Sequence, residues 1–379
     1  MTGTPADAVE GRIRRWLDTA WRLWIARGVD ETSGLFLESL DAHGRLGGEA
    51  VSRVRVQGRQ LFCFARALLN GHEGARAPLH RGFAAVAERC LGPDGGWFHT
   101  LTVDGVVLDR RHDAYDQAFM LFGLAAVHEA GVGGAREVAE RTLRFLDETL
   151  AHPEGRGLRE VLPDSLADGT GGRLPRRSNP HMHLLEAMLN WHRVTGEPGF
   201  LRRANAVAEL FAAHFFRAAD GTLGEFFTED WRPAAEPAGS SVEPGHHGEW
   251  NWLLHRLAAA GGRDLRPEGR RLHDWLLRHG LDAAGFAVDE CGRNGEQRRR
   301  SRRLWPQCEL AKSLHAVGER DAALAVAERM LDSYLDTERP GLWIDRFDAD
   351  GRPDGTLVPA STLYHLVVAF EDLVGTDGV

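Results

Sequence analysis

Lysine is almost missing from this chain of 379 residues: Lys312 stands alone, and arginine supplies every other one of the 46 basic side chains. Schiff-base or pyridoxal chemistry would therefore have one side chain to use. Cysteine is also scarce. Cys63, Cys90, Cys291 and Cys308 are scattered, with no C-x-x-C pair and no zinc-like spacing, which describes reduced thiols of a cytoplasmic protein. No apolar run is long enough to span a membrane; the longest, "AFMLFGLAAV" from Ala118, is about half a span. The first residues, "MTGTPADAVEGRIRRWLD", lack the apolar core of a signal peptide, so a cytoplasmic location is expected. A net charge of -9 excludes the basic face of a nucleic-acid binder. Also absent are a phosphate-cradling G-x-x-x-x-G-K-[ST] loop, a dinucleotide fingerprint and a G-x-S-x-G elbow.

Helical periodicity is abundant. It predicts twelve helices, near 7–27, 57–71, 78–91, 113–130, 134–150, 180–195, 198–217, 244–260, 265–279, 304–317, 320–336 and 360–374. Pro180 follows the capping candidates Ser178 and Asn179, and Gly196 and Pro198 stop one helix and start the next. "GPDGGWFHTLTVDG" and "FDADGRPDGT" carry D-G turns between β-prone runs and predict short hairpins. Twelve helices in close pairs suggest a closed ring of helical hairpins. The fold class expected is all-α, an (α/α)6 barrel with β-hairpins in its loops, built as a single domain over residues 1–379.

Chemistry-bearing residues fall on alternate helices: Arg59, Asp116, His183, His246, Gln307 and His365, at intervals of 57 to 67 residues. Each stands near the start of its helix, so parallel inner helices would bring all six to one mouth. In "PGHHGEW", His246 and Glu249 are three apart and share a helical face, so Glu249 is expected to orient His246; His247 faces elsewhere. In "SNPHMHLLEAMLNWH", His183 has Asn179 and Glu186 beside it, whereas His181 and His192 read as packing or surface residues. "SRRLWPQCELAKSLHA" sets Trp305 beside Gln307 and Glu309, an apolar face with polar groups that suits a sugar. The preceding Arg298–Arg303 run could hold an anion or form a solvated loop. Tyr115 and Tyr364 complete the set. Too few ligands cluster for a metal, and no H-E-x-x-H is present. A paired-carboxylate glycoside hydrolase remains an alternative, with Glu186, Glu249 and Glu309 as acid and base.

These motifs in this order, "QGRQ", "DAYDQAF", "NPHMHLLEA", "PGHHGEWNWLL", "WPQCE" and "YHL", resemble the N-acylglucosamine 2-epimerase superfamily over nearly the whole chain. The resemblance implies an (α/α)6 barrel acting on a monosaccharide, without metal or other cofactor. It implies His246 and His365 as acid and base about the sugar C1–C2 bond, His183 as a substrate-binding residue that helps open the ring, and Arg59 beside the enediolate oxygens. Asn179, Tyr115, Glu249, Trp305 and Glu309 match pocket positions; Glu186 and Gln307 are added as substrate-binding candidates. The form of "PGHHGEW" leans toward the mannose isomerases, interconverting D-mannose and D-fructose, with D-lyxose and D-xylulose as relatives. A 2-epimerase of N-acylglucosamine or cellobiose type is the runner-up. The expected partners are a monosaccharide and, at most, a second copy of the chain, as a monomer or homodimer. Two departures stand out: Gln117 follows "AYD" where many members have His, and Leu304 precedes Trp305 where an aromatic is common.

Overall fold

The computed structural model describes residues 5–152, 157–162 and 175–375. The ends of the expected 1–379 domain lie outside the described residues. Twelve α-helices are present among them: α1 (Pro5–Arg27), α2 (Val54–Leu69), α3 (Arg76–Cys90), α4 (Ala114–Glu129), α5 (Ala135–Phe145), α6 (Asn179–Thr195), α7 (Pro198–Leu210), α8 (Pro244–Ala259), α9 (Arg266–His279), α10 (Trp305–Ala316), α11 (Arg320–Ser333) and α12 (Ala360–Val374). α5 and α7 end earlier than the periodicity predicts, because each closes in a wider π turn, over 146–150 and 211–215. Proline in the first turn of α6, α7, α8, α9 and α10 fixes where those helices begin, since its missing N–H is not needed there. Gly196 at φ 70 ends α6 in a left-handed cap.

The even-numbered helices form the inner ring, each packed against the next, and α12 returns to α2. The odd-numbered helices lie outside, each against its inner partner. This layering follows from composition. α4 and α12 are buried on nearly every face, as a helix surrounded by helices must be. α5 and α9 bury only a stripe and send their charges to solvent. One apolar cluster runs through the whole ring. α2 and α4 touch backbone to backbone: a Cβ on Gly123 would lie 2.2 Å from the Gly58 carbonyl oxygen, and one on Gly58 2.5 Å from that of Phe119.

Short antiparallel strands gather at the N-terminal ends of the inner helices and follow one rule. The strand entering an inner helix pairs with the loop strand of the next helical pair. Val51–Arg53 pairs with Thr100–Thr102, which turns back as Val107–Asp109. His112–Asp113 pairs with Val161–Leu162, and Arg176–Arg177 with Phe226–Phe227. Ser241–Val242 pairs with Glu290–Gly292, and Arg302–Arg303 with Arg346–Phe347. Leu357–Pro359 closes the circle on Ser39–Asp41.

A second repeated device clamps these loops. Gln57 exchanges two hydrogen bonds with the Phe36 backbone (2.9 and 2.8 Å), Gln117 with Trp97 (2.8 and 2.8 Å), and Gln307 with Ala287 (2.7 and 2.8 Å). His181 and His247 stand at the corresponding place on α6 and α8, each accepting a backbone N–H at Nε2, from Leu158 (3.0 Å) and Leu223 (3.2 Å). Burial pushes both imidazoles down to about 3, so they stay neutral acceptors. Gln117 thus does the work of a histidine at the same place in other helical pairs, which accounts for its departure from the resembled pattern.

Candidate active site

A cavity of about 390 Å³ opens where the inner helices begin. Its wall includes Arg59 from α2, Tyr115 from α4, Asn179 and His183 from α6, His246 and Glu249 from α8, Trp305 from α10 and His365 from α12. The staple residues explain the convergence. Two positions beyond each staple on α2, α6, α8 and α10 lie Arg59, His183, Glu249 and Glu309, so the same turn of each inner helix points at the barrel axis.

Three imidazoles are held in one way. His183 Nδ1 lies 3.0 Å from Glu186 Oε2, His246 Nδ1 3.0 Å from Glu225 Oε2, and His365 Nδ1 2.8 Å from Glu309 Oε1. A carboxylate on Nδ1 fixes each ring and leaves Nε2 as the atom available to the cavity. His246 and His365 flank the Trp305 ring at centroid distances of 5.2 and 5.5 Å. The absence of a side chain at Gly245 makes room for that indole, since a Cβ there would sit 2.5 Å from it.

The two flanking imidazoles differ in charge. Burial works against a proton on His246, but Glu225 and Glu243 outweigh it and push the ring up to about 10. Burial and the charges of Arg59 and Lys312 hold His365 well below the ordinary imidazole range. Near neutral pH one ring is therefore an acid and the other a base. Asn179 Nδ2 lies 3.2 Å from His246 Nε2, while its Oδ1 has no partner. Turning that amide over gives the imidazolium an acceptor.

Arg59 is buried, donates to the Tyr115 hydroxyl at 2.9 Å, and lies 4.0 Å over the Phe119 ring. Among the described residues no carboxylate pairs with it, so its charge is free for a developing oxyanion. Beneath the cavity Glu186 accepts from the Tyr364 hydroxyl at 2.5 Å. Burial alone would raise Glu186, but the hydrogen bond and charge of His183 hold it below the usual range.

Several expectations are corrected. Glu249 does not orient His246: one turn further down α8 it points inward, 3.8 Å from His183 Nδ1, and Glu225 takes the expected place. Gln307 faces away from the cavity as a loop staple, because the Ala287 backbone needs both its amide atoms. Glu186 and Glu309 lie behind the wall, committed to His183 and His365, so neither reaches the cavity lining as a sugar contact. Asp116 is fully buried against His99 and also stays out of the lining. The Arg298–Arg303 run is mostly spent on local ion pairs, with Arg302 on Asp282 and Arg299 on Glu290; Arg303 alone reaches the cavity, held by Glu243 and Asp289. Glu225 was missed because "TLGEFF" carries no helical or motif signal. Glu243, Asp345 and Thr362 also line the cavity unforeseen.

Donor atoms of His183, Glu186 and Glu249, and of Glu249, Glu309 and His365, lie within 4.8 Å of one another, close enough to ligate an ion. Tyr364 and Lys312 already occupy Glu186 and Glu309, which leaves Glu249 as the carboxylate both sets share. Among the described residues no helix is long and apolar enough to cross a membrane.

Twelve helices in two rings, with imidazoles, carboxylates and an unpaired arginine at one mouth, define an (α/α)6-barrel enzyme of the sugar isomerase and epimerase class. The chain belongs to the N-acylglucosamine 2-epimerase family, whose model matches residues 34–369. It is 34% identical to a mannose-6-phosphate isomerase of Rhizobium meliloti (strain 1021), over 96% of both chains. It is 31% identical to a D-mannose isomerase of Thermobifida fusca, over 65% of this chain and 63% of that one. The fold superposes on a cellobiose 2-epimerase from Bacillus thermoamylovorans B4167 with a TM-score of 0.85 at 19% identity, covering 98% of this chain and all of that one.

Proposed function

We propose that the protein is a cofactor-independent aldose–ketose isomerase that interconverts D-mannose and D-fructose in this cavity, and that one domain carries the whole activity. The observation that carries the reading is the pair of imidazoles over Trp305, one held charged and the other neutral. His183 assists opening of the hemiacetal. His365 then takes the C2 proton and delivers one, exchangeable with solvent, to C1; Arg59 stabilises the cis-enediolate, and His246 protonates O1 and takes up the proton that the C2 hydroxyl gives up. The indole face of Trp305 covers the sugar C–H surface.

A 2-epimerase needs the same opposed acid and base, so the pair alone favours neither outcome. The isomerases among the relatives favour the ketose product. A glycoside hydrolase is disfavoured, because Glu186 and Glu309 are committed behind the wall and the other cavity-lining carboxylates, Glu243 and Asp345, are engaged by Arg303 and Thr362. A second reading, a sugar 6-phosphate as substrate, gains support from Arg53, Arg55 and Arg303 at the mouth and from the name of the Rhizobium relative. Arg55 has the most to offer an anion, since its contact with Asp116 is a long 3.5 Å.

The test is a panel of mannose, mannose 6-phosphate, N-acetylglucosamine and cellobiose with product analysis. Fructose from mannose supports the reading. A 2-epimeric aldose without ketose moves the protein to the epimerases, and preference for the phosphate, lost in Arg55→Gln, selects the second reading.

A further inference from the structure

The chain's one lysine is fully buried on α10, in a sequence whose other basic side chains are all arginine. Its Nζ lies 2.7 Å from Glu309 Oε2 and 4.0 Å over the Trp252 ring. The other oxygen of Glu309 holds His365 Nδ1 at 2.8 Å. Around this line stand Glu249 from α8, Glu186 and His183 from α6, Tyr364 from α12 and Arg59 from α2. Three buried carboxyl groups therefore share one ammonium.

We propose that Lys312 is a positioning residue that sets the tautomer of His365 by keeping Glu309 ionised. As a carboxylate, Glu309 can only accept, so His365 must carry its proton on Nδ1 and present the Nε2 lone pair to the sugar. As a carboxylic acid, Glu309 would donate to Nδ1, the ring proton would sit on Nε2, and the base would be gone. Burial and the charge of Glu249 hold Glu309 well above the usual carboxylate range, and the Lys312 ammonium 2.7 Å away is the charge that opposes them. The ammonium remains charged despite its own burial because Glu309, Glu249 and Glu186 surround it.

The inference rests on the isomerase reading above, and its test has an arm independent of turnover. In Lys312→Met, kcat should fall by about 100-fold or more at neutral pH with little change in KM, the scale of a lost general base. The rate should partly return as pH rises, because Glu309 then ionises without help; the acid limb of the kcat profile moves to higher pH. Lys312→Arg should restore part of the rate. A Lys312→Met enzyme with the parent profile would overturn the proposal. If that variant does not fold, the parent protein decides. Labelled with [ε-13C]lysine it gives one lysine side-chain signal, which should report an ammonium throughout pH 6–9; a neutral amine there would overturn the proposal. A protein that turns over no sugar would sink the isomerase reading while leaving this signal to judge the ion pair.

Discussion

His246 and His365 share an indole yet differ in charge, and the difference lies in what stands behind each ring. His246 has Glu225 and Glu243 close by, whereas His365 faces Arg59 and Lys312. The pH dependence follows by sign. The proposed mechanism needs His246 protonated, so the alkaline limb should fall near pH 10, and it needs His365 neutral, so the acid limb should lie well below pH 6.5. Glu225→Gln removes the hydrogen-bonded carboxylate, so the alkaline limb should move several pH units toward neutrality, read from kcat/KM between pH 5 and 10. An unmoved limb would show that another group titrates. His246→Ala and His365→Ala should each lower kcat by about 100-fold or more while the helical circular dichroism persists. Most of the cavity's residue types were legible in the sequence because short motifs carry them. Partnerships were not: i,i+3 spacing put Glu249 on the face of His246, but the ring turned to a carboxylate from a loop with no motif of its own.

The helices were legible to within three residues at every end but the last turns of α5 and α7, because proline and glycine mark their ends and burial imposes a 3.6-residue period. The π turns after α5 and α7 were not, since a widened turn keeps the same apolar spacing. Nor was the staple. "RLWPQCE" reads as a sugar site until Gln307 is seen to hold Ala287. Gln307→Leu should therefore lower stability by roughly 1–3 kcal/mol, the cost of stranding buried backbone groups, and show as a reduced Tm. Gln117→His should be tolerated better than Gln117→Leu, since imidazoles do this work on α6 and α8. Gly123→Ala should be among the most damaging single changes, because its methyl meets a carbonyl oxygen at 2.2 Å and two inner helices must part. Thermal melts rank all four.

At the scale of the molecule, the six strand pairings tie each helical pair to the next, and Leu357–Pro359 on Ser39–Asp41 joins the last to the first. A ring closed in this way should melt in one calorimetric transition; two resolved transitions would contradict a single folding unit. Alternation of helices in the sequence foretold the ring, but not the strand rule, whose two- and three-residue strands carry no period of their own. The ring matters to function because it delivers one turn of each inner helix to a common mouth, and the proposed isomerisation passes a proton between two carbons of one sugar there. That transfer is read most directly by incubating the protein with D-mannose in deuterated water and following products by NMR. The account predicts D-fructose carrying solvent deuterium at C1. Fructose formed with no deuterium, as a hydride shift would give, or C2-deuterated glucose without fructose, would contradict it.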